Sequence, residues 1–387
     1  MQKVSSQQGL KFINQQKILN LIYNESPISR VELAERTFLT QQTVTNIVNR
    51  LMEDDLVMER KSTAGSRGRR PVPLVINSGK MFAVGVEVAV KYVSAKLIDF
   101  SGNVINRSKY EVDVFKEGEE TLACIQNAVN KILKSIPKKS ELKGIGVSIQ
   151  GLVDSKQGIV MNSPGLAWKD FPLVEKLKET FDFPIYIEND VNLLAIIENQ
   201  KGSLMNSENN LVLKFDHGIG GSIINNKQLY VGSSHVAGEF GHIKAFSGSE
   251  AYKCHCGAMG CLTTLASNSG LIKNIEVTLE EFTSRVREGG EEETKLLETI
   301  TNAIGVALGN VVTFMNPDEI LLTGKVIELL GDIVVPQLEE IVHTNVPESC
   351  RNIKLHHINK PLDESILAGK LVIKKYFDVP LEILSLK

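Results

Sequence analysis

Three thiols and an imidazole crowd one stretch of the chain: His242, then Cys254, Cys256 and Cys261. Thiolate sulfur and imidazole nitrogen are the donors a tetrahedral zinc ion takes, and a Cys₃His set leaves no open position, so the chemistry expected is structural. Cys254 and Cys256 are one residue apart, and Cys261 follows a turn containing Gly257 and Gly260, where missing side chains let the backbone fold tightly about an ion. Metal binding of this kind contributes on the order of 10 kcal/mol to fixing a loop. His255 is the alternative nitrogen ligand, but it lies between two ligating cysteines and would have to fold back on the same ion. A few buried cysteines beside a hydrogen-bonded histidine is the reading without a metal.

A second group is Glu188-Asn189-Asp190, at the end of a strand and the start of a helix. Asn189 and Asp190 could bond a hydroxyl-rich small molecule there, or simply cap the helix. Glu239, three residues before His242, adds a carboxylate on the metal-fixed loop. Gly218-Ile-Gly220-Gly221 reads either as a phosphate nest or as a hairpin turn.

The elements that must position these groups follow from length and pattern. A chain of 387 residues with net charge -3 has room for two or three domains, and its five cysteines form no disulfide framework, which suits a reducing setting. Cys124 and Cys350 are expected as buried small residues. With no apolar secretory core at the start and no run of about eighteen apolar residues, the expected location is the cytoplasm, without a membrane span.

Residues 1–72 hold eleven Lys and Arg against seven Asp and Glu, so this end is positive while the remainder is negative. Helical spacing covers residues 11–24, Pro27 ends that register, and Ser29-Arg-Val-Glu32 has the form of a capping box. A third helix buries Val44, Ile47, Val48 and Leu51 and turns Gln41, Gln42, Thr43, Thr45, Asn46, Asn49 and Arg50 outward, the amides, hydroxyls and guanidinium that pair with base edges and phosphates. Leu56–Arg60 and the basic Arg67, Arg69 and Arg70 follow as a wing, so operator DNA is the expected partner. A solvated basic linker after a helical hairpin is the plainer alternative.

Beyond residue 72 the pattern is three strands, helix, strand, helix, strand, used twice: strands near 81–87, 92–100 and 104–110, then a restart near 211–215, 221–224 and 228–231. That predicts an α/β fold of two lobes built alike, with ligands in a cleft between them. The expected division is 1–72 for the winged helix-turn-helix, 73–193 for the first lobe with a C-terminal helix from about 362 packed on it, and 194–361 for the second lobe with the zinc loop and a dimer interface.

Glu239-Phe-Gly-His242, the Cys-x-Cys-Gly-x-x-Gly-Cys run, Glu188-Asn-Asp190, Asn316-Pro-Asp-Glu-Ile320 and Leu322-Thr-Gly324 together resemble the ROK family of repressors and sugar kinases, over nearly the whole chain. The N-terminal helix-turn-helix with its Gly-Arg-Arg-Pro wing is similar to the family's xylose-operon repressor branch. The resemblance implies two actin-like, ribonuclease-H-like lobes, a homodimer or tetramer, structural Zn²⁺, and a monosaccharide effector, xylose and glucose being candidates. It implies Asn189, Asp190, Glu239 and His242 as sugar contacts, and Asp190 as the position of the kinases' base.

Departures from the pattern decide between branches. Glu87-Val-Ala89-Val90-Lys91 stands where family kinases carry Asp-x-Gly-Gly-Thr, so close approach of ATP phosphates is blocked. Lys325 interrupts the late glycine stretch, Thr263 replaces a glutamate near the sugar, and Gly165 replaces an asparagine in the loop Asn162-Ser-Pro-Gly165. The expected function is a sugar-released repressor of carbohydrate-utilisation genes, not an enzyme. The rivals are a sugar kinase with an appended DNA-binding domain, and a repressor answering to a protein partner instead of a sugar.

Overall fold

The structure is a computed structural model that describes residues 7–60, 72–112, 118–246, 248 and 251–378. By packing, the chain forms two units. The first combines the chain up to Gln150 with Ser155–Glu188 and the segment from Glu364, and the second combines Gly151–Asp154 with Asn189–Asp363.

In the first unit, helices Gln7–Glu25, Arg30–Thr37 and Gln41–Glu53 precede the antiparallel strands Val57–Glu59 and Leu74–Ile76. The capping box is present: Ser29 Oγ accepts from the Glu32 amide, and the Glu32 carboxylate accepts from the Ser29 amide at 2.8 Å. Ile28 and Leu74 exchange backbone hydrogen bonds, which ties the strand pair to the helices. Residues 61–71, and with them Arg67, Arg69 and Arg70, lie outside the described residues.

Each unit carries one five-stranded sheet, and the two sheets share one topology. In the first the order is Ile185–Asn189, Glu141–Ile149, Met81–Ala89, Tyr92–Asp99, Val104–Glu111. In the second it is Gln228–Tyr230, Ile219–Asn225, Asn210–Phe215, Glu319–Thr323, Lys354–His357. In both, the earliest strand is central, the next two add antiparallel on one side, and the last two lie on the other. The repeated rhythm in the sequence therefore corresponds to a repeated sheet. Elements it did not predict include the hairpin of Ile159–Ser163 with Trp168–Phe171 and the short helices Thr263–Ala266, Asn268–Ile275 and Leu279–Arg287.

Helix Glu291–Met315 is, by length and composition, apolar enough to cross a membrane. It is a core helix: Leu297, Ile300, Ile304, Leu308 and Val312 are buried in the second unit's core with Leu330, Val334 and Leu338 of helix Lys325–Asn345. Cys124 and Cys350 are half-buried, not buried.

Helix Glu364–Phe377 lies directly on the first sheet because glycines remove the side chains between them. A Cβ at Gly85 would collide with the Ser365 carbonyl, and one at Gly146 with that of Ala368. The far end of this helix reaches the three N-terminal helices. Tyr23 stacks on Phe377 with centroids 4.1 Å apart, Phe100 meets Phe377 edge-on at 5.6 Å, and Asn20 Nδ2 donates to the Phe377 carbonyl at 3.0 Å. Ile18, Ile22, Leu33, Val44, Val48 and Leu51 consequently share one hydrophobic cluster with Met81, Ala83, Ile98, Val372 and Ile373.

Two predictions follow from this packing. Gly85→Ala should lower stability by about 2 kcal/mol or more, since the obstruction is backbone and cannot rotate away; Gly79→Ala, with nothing within 4 Å of the new methyl, is the control in thermal melts. Burial, and then the charge of Asp378, push the Tyr23 phenol up from its ordinary 10.0 to about 12. The folded state thus favours the neutral phenol, a contribution fully present below pH 10 and lost as pH rises through about 12. Melting temperature should fall across that window, and Tyr23→Phe should flatten part of the fall.

Candidate functional site

The helix Gln41–Glu53 begins at Thr40, whose hydroxyl accepts from the Thr43 amide at 3.2 Å. Val44, Ile47, Val48 and Leu51 are buried, which leaves Gln41, Gln42, Asn46, Asn49 and Arg50 exposed on the other face. Gln42 donates to Asn46 Oδ1 at 3.2 Å and Arg50 Nε to the Asn46 carbonyl at 3.3 Å, so the polar face is pre-ordered along the helix. Thr43 and Thr45 are half-buried, and the Thr43 hydroxyl is bonded to that of Thr40 at 2.8 Å. Thr43 therefore belongs to the cap as well as to the predicted DNA-facing set.

In the second unit, ligand atoms of His242, Cys254, Cys256 and Cys261 lie within 4.8 Å of one another, the set expected from spacing. Cys256 Sγ to Cys261 Sγ is 3.7 Å, and Cys254 Sγ to His242 Nδ1 is 3.7 Å. A tetrahedral ion bonded to sulfur at about 2.3 Å and to nitrogen at about 2.05 Å has edges of about 3.8 and 3.6 Å, so the donors fit a metal ion. His255 Nδ1 also approaches Cys254 Sγ at 3.7 Å, yet it falls outside the four-ligand set. Lys244 Nζ donates to Cys261 Sγ at 2.8 Å, a cation beside sulfur that must carry negative charge to hold a metal.

His242 links this cluster to the carboxylates. With Nδ1 turned to the thiols, its Nε2 lies 3.6 Å from Glu239 Oε2. Burial, followed by the charge of Asp190, pushes the Glu239 carboxyl up, which places both acids in one electrostatic neighbourhood. The loop is seated by glycine. Gly238 has φ +93° and abuts Gly221 so closely that a Cβ on either residue would strike the other's carbonyl. Gly220 and Gly221 are ladder residues opposite Lys214 and Leu213, and the Gly218 carbonyl accepts from the Asp216 amide at 2.9 Å in the hairpin turn before them.

Asp190 is not alone. Lys214 Nζ donates to Asp190 Oδ2 at 2.8 Å and lies 3.7 Å from Asp216 Oδ2, with the Lys214 and Asp190 side chains only 8 % and 10 % exposed. Asn189 is the helix cap: its Oδ1 accepts from the amides of Val191 and Asn192, and its Nδ2 donates to the Gly151 carbonyl at 2.9 Å and to Asp190 Oδ1 at 3.1 Å. Lys214 was missed in the sequence, although the apolar run Leu211-Val-Leu-Lys-Phe215 holds the signal, since a buried lysine in a central strand requires an anionic partner. Another unforeseen pair is His235 Nε2 with Asp154 Oδ2 at 3.6 Å.

The departures have structural consequences. Val90 and Gly165, both in the first unit, meet: a Cβ at Gly165 would come within 2.8 Å of Val90 Cγ2. Glu87 accepts from Tyr92 Oη at 2.6 Å. Lys325 begins a helix and pairs with Glu328 at 3.4 Å and Glu280 at 3.5 Å. Thr263 is buried at the start of the short helix after Cys261.

A three-helix head with a two-stranded wing, joined to a pair of matching α/β sheets and a Cys₃His loop beside paired carboxylates, defines a DNA-binding protein with a small-molecule lobe architecture. The ROK family profile matches residues 83–372, and a winged helix-turn-helix DNA-binding profile matches residues 12–58. The chain belongs to the ROK family. It is 32 % identical over 332 residues to the xylose repressor of Bacillus spizizenii, covering 84 % of this chain and 85 % of that protein. The solved structure of a ROK family transcriptional regulator, described as a homolog of the E. coli MLC protein, superposes with TM-score 0.83 at 23 % identity over 97 % of this chain and all of the other. The ROK hexokinase of Thermus thermophilus matches with TM-score 0.64 at 21 % identity, over 76 % of this chain and 97 % of that one. At those identities the structural likenesses establish the fold.

Because burial holds the free Cys254 thiol up to about 11, binding a metal here must displace protons, and affinity should climb with pH. Elemental analysis should find about one metal equivalent per chain, close to none in Cys261→Ser, and progressive loss on acidification.

Proposed function

We propose that the protein is a sugar-responsive transcriptional repressor of carbohydrate-utilisation genes that binds operator DNA as a homo-oligomer and does not phosphorylate sugar. The observation that carries this reading is the helix Gln41–Glu53, apolar on the side facing its own core and lined with Gln41, Gln42, Asn46, Asn49 and Arg50 on the other. Similarity to a protein named as a xylose repressor supports the sugar class. In functional terms residues 1–72 read DNA, 73–193 form the first lobe, and 194–361 form the second, with the zinc loop and a dimer interface. Arg67, Arg69 and Arg70 complete the DNA contact from the wing.

The metal is zinc, held by His242, Cys254, Cys256 and Cys261, and with no open position it supplies structure, not a reactive water. Asn189, Asp190, Glu239 and His242 contact the sugar. The Lys214 ammonium occupies the Asp190 oxygen that a kinase substrate's hydroxyl would need, which favours binding without chemistry. A sugar that prefers one of two conformations with a coupling of roughly 1–3 kcal/mol changes operator affinity about 5- to 150-fold. The kinase alternative is favoured by the likeness to the ROK hexokinase fold and opposed by Val90, Gly165 and Lys214.

Fluorescence anisotropy on DNA from the gene's own upstream region tests the reading. Arg50→Ala should weaken binding roughly 5- to 150-fold. Asp190→Asn, which keeps an acceptor for the buried Lys214 ammonium, should bind DNA normally but lose its response to whichever of xylose, glucose or N-acetylglucosamine releases the wild type. ATP-dependent phosphorylation of any of these sugars by the purified protein would refute it.

A further inference from the structure

The turn between the second and third helices carries a residue that the fold itself does not favour. Phe38 is 95 % exposed. It also caps helix Arg30–Thr37 in the left-handed region, with φ 59° and ψ 25°, where glycine or asparagine is the low-energy choice and a Cβ costs stability. A single exposed apolar side chain is ordinary, and so is a left-handed C-cap. A phenylalanine that takes up both disadvantages gains nothing from core packing or from backbone geometry, and such strain at a binding surface points to use.

Its place in the chain indicates the use. Phe38 precedes the Thr40 N-cap by two residues, next to the exposed Gln41 and Gln42, at the end of the helix that meets base edges in helix-turn-helix proteins. A phenyl ring offers no donor to a phosphate. What it can take from a duplex is apolar surface, the 5-methyl of thymine or the carbons of deoxyribose.

We propose that Phe38 is a DNA-contacting residue, burying its ring on apolar surface of the duplex beside the recognition helix. This rests on the DNA-binding reading above. The test uses full-length protein and a duplex that the wild type selects from a random-sequence library. Phe38→Gly should melt a few degrees higher, because it relieves the left-handed cap, and yet bind the selected duplex about tenfold more weakly. Phe38→Asn, which tolerates the same backbone without glycine's freedom, should lose as much affinity, and Phe38→Met should keep most of it. Replacing thymine by deoxyuridine in the duplex distinguishes the two surfaces. A loss in wild type that Phe38→Gly does not share assigns the methyl, whereas indifference of both proteins assigns the sugar carbons. Unchanged affinity in Phe38→Gly and Phe38→Asn overturns the proposal. If Arg50→Ala still loses affinity in that case, the DNA-binding reading stands without Phe38; if Arg50→Ala also binds like wild type, that reading falls too.

Discussion

The first unit depends on a backbone-to-backbone contact. Gly85 and Gly146 bring two central strands so near helix Glu364–Phe377 that carbonyls of Ser365 and Ala368 fill the space where side chains would stand. The helix is also held at its start, where the buried Glu364 accepts from Ser148 at 3.0 Å. With its axis fixed in this way, its last residue is presented to Tyr23, and the DNA-binding helices acquire a core they could not complete from their own small number of apolar residues. The head is thus part of the first unit in the packing sense even though it is separate in the functional sense. The recognition helix and that sheet contribute to one apolar cluster, so the head meets the sheet through packed side chains.

In the second unit the governing constraint is electrostatic. Lys214 and Asp190 are nearly buried, where an unpaired charge is costly and each is defined by the other, while the neighbouring Asp216, Glu239 and His242 remain partly open to solvent. Glu239 and His242 stand on the loop that carries the Cys₃His set, and the Gly221–Gly238 contact seats that loop against the sheet. Asn189 has two tasks: it caps a helix with Oδ1 and braces Asp190 with Nδ2. Capping is how the side chain beside it is aimed.

Features governed by short spacing were legible in the sequence. The Cys₃His set, the capping box at Ser29, the amphipathic recognition helix and the twofold use of one strand pattern all appear where periodicity and motif placed them. What escaped was either long-range or too short to be periodic. Lys214 reads as one residue of an apolar strand, and its partner lies 24 positions away across a helix. The docking of residue 377 on residue 23 has no local signature. Helices of four to nine residues between Thr263 and Arg287 are held by tertiary packing of Leu265, Leu271, Leu279 and Phe282, not by an amphipathic repeat long enough to recognise.

Long-range contact also changes the meaning of the departures from the kinase pattern. Read along the chain, Val90 and Gly165 are two unrelated losses, a glycine gained side-chain bulk in one loop and an asparagine lost it in another. In space they are one substitution, because the absence of a Cβ at 165 makes room for the isopropyl group at 90. Restoring asparagine at 165 alone would drive its Cβ to within 2.8 Å of Val90 Cγ2, and restoring glycine at 90 alone would leave a gap beside Gly165. A residue pair that fills its own void is held in place by packing, so a change at either position calls for a change at the other. The buried Lys214–Asp190 pair imposes the same condition at the carboxylate, since removing the lysine alone strands a buried anion. Each of these pairs is stable only with both members in place, so neither residue can be interpreted apart from the other.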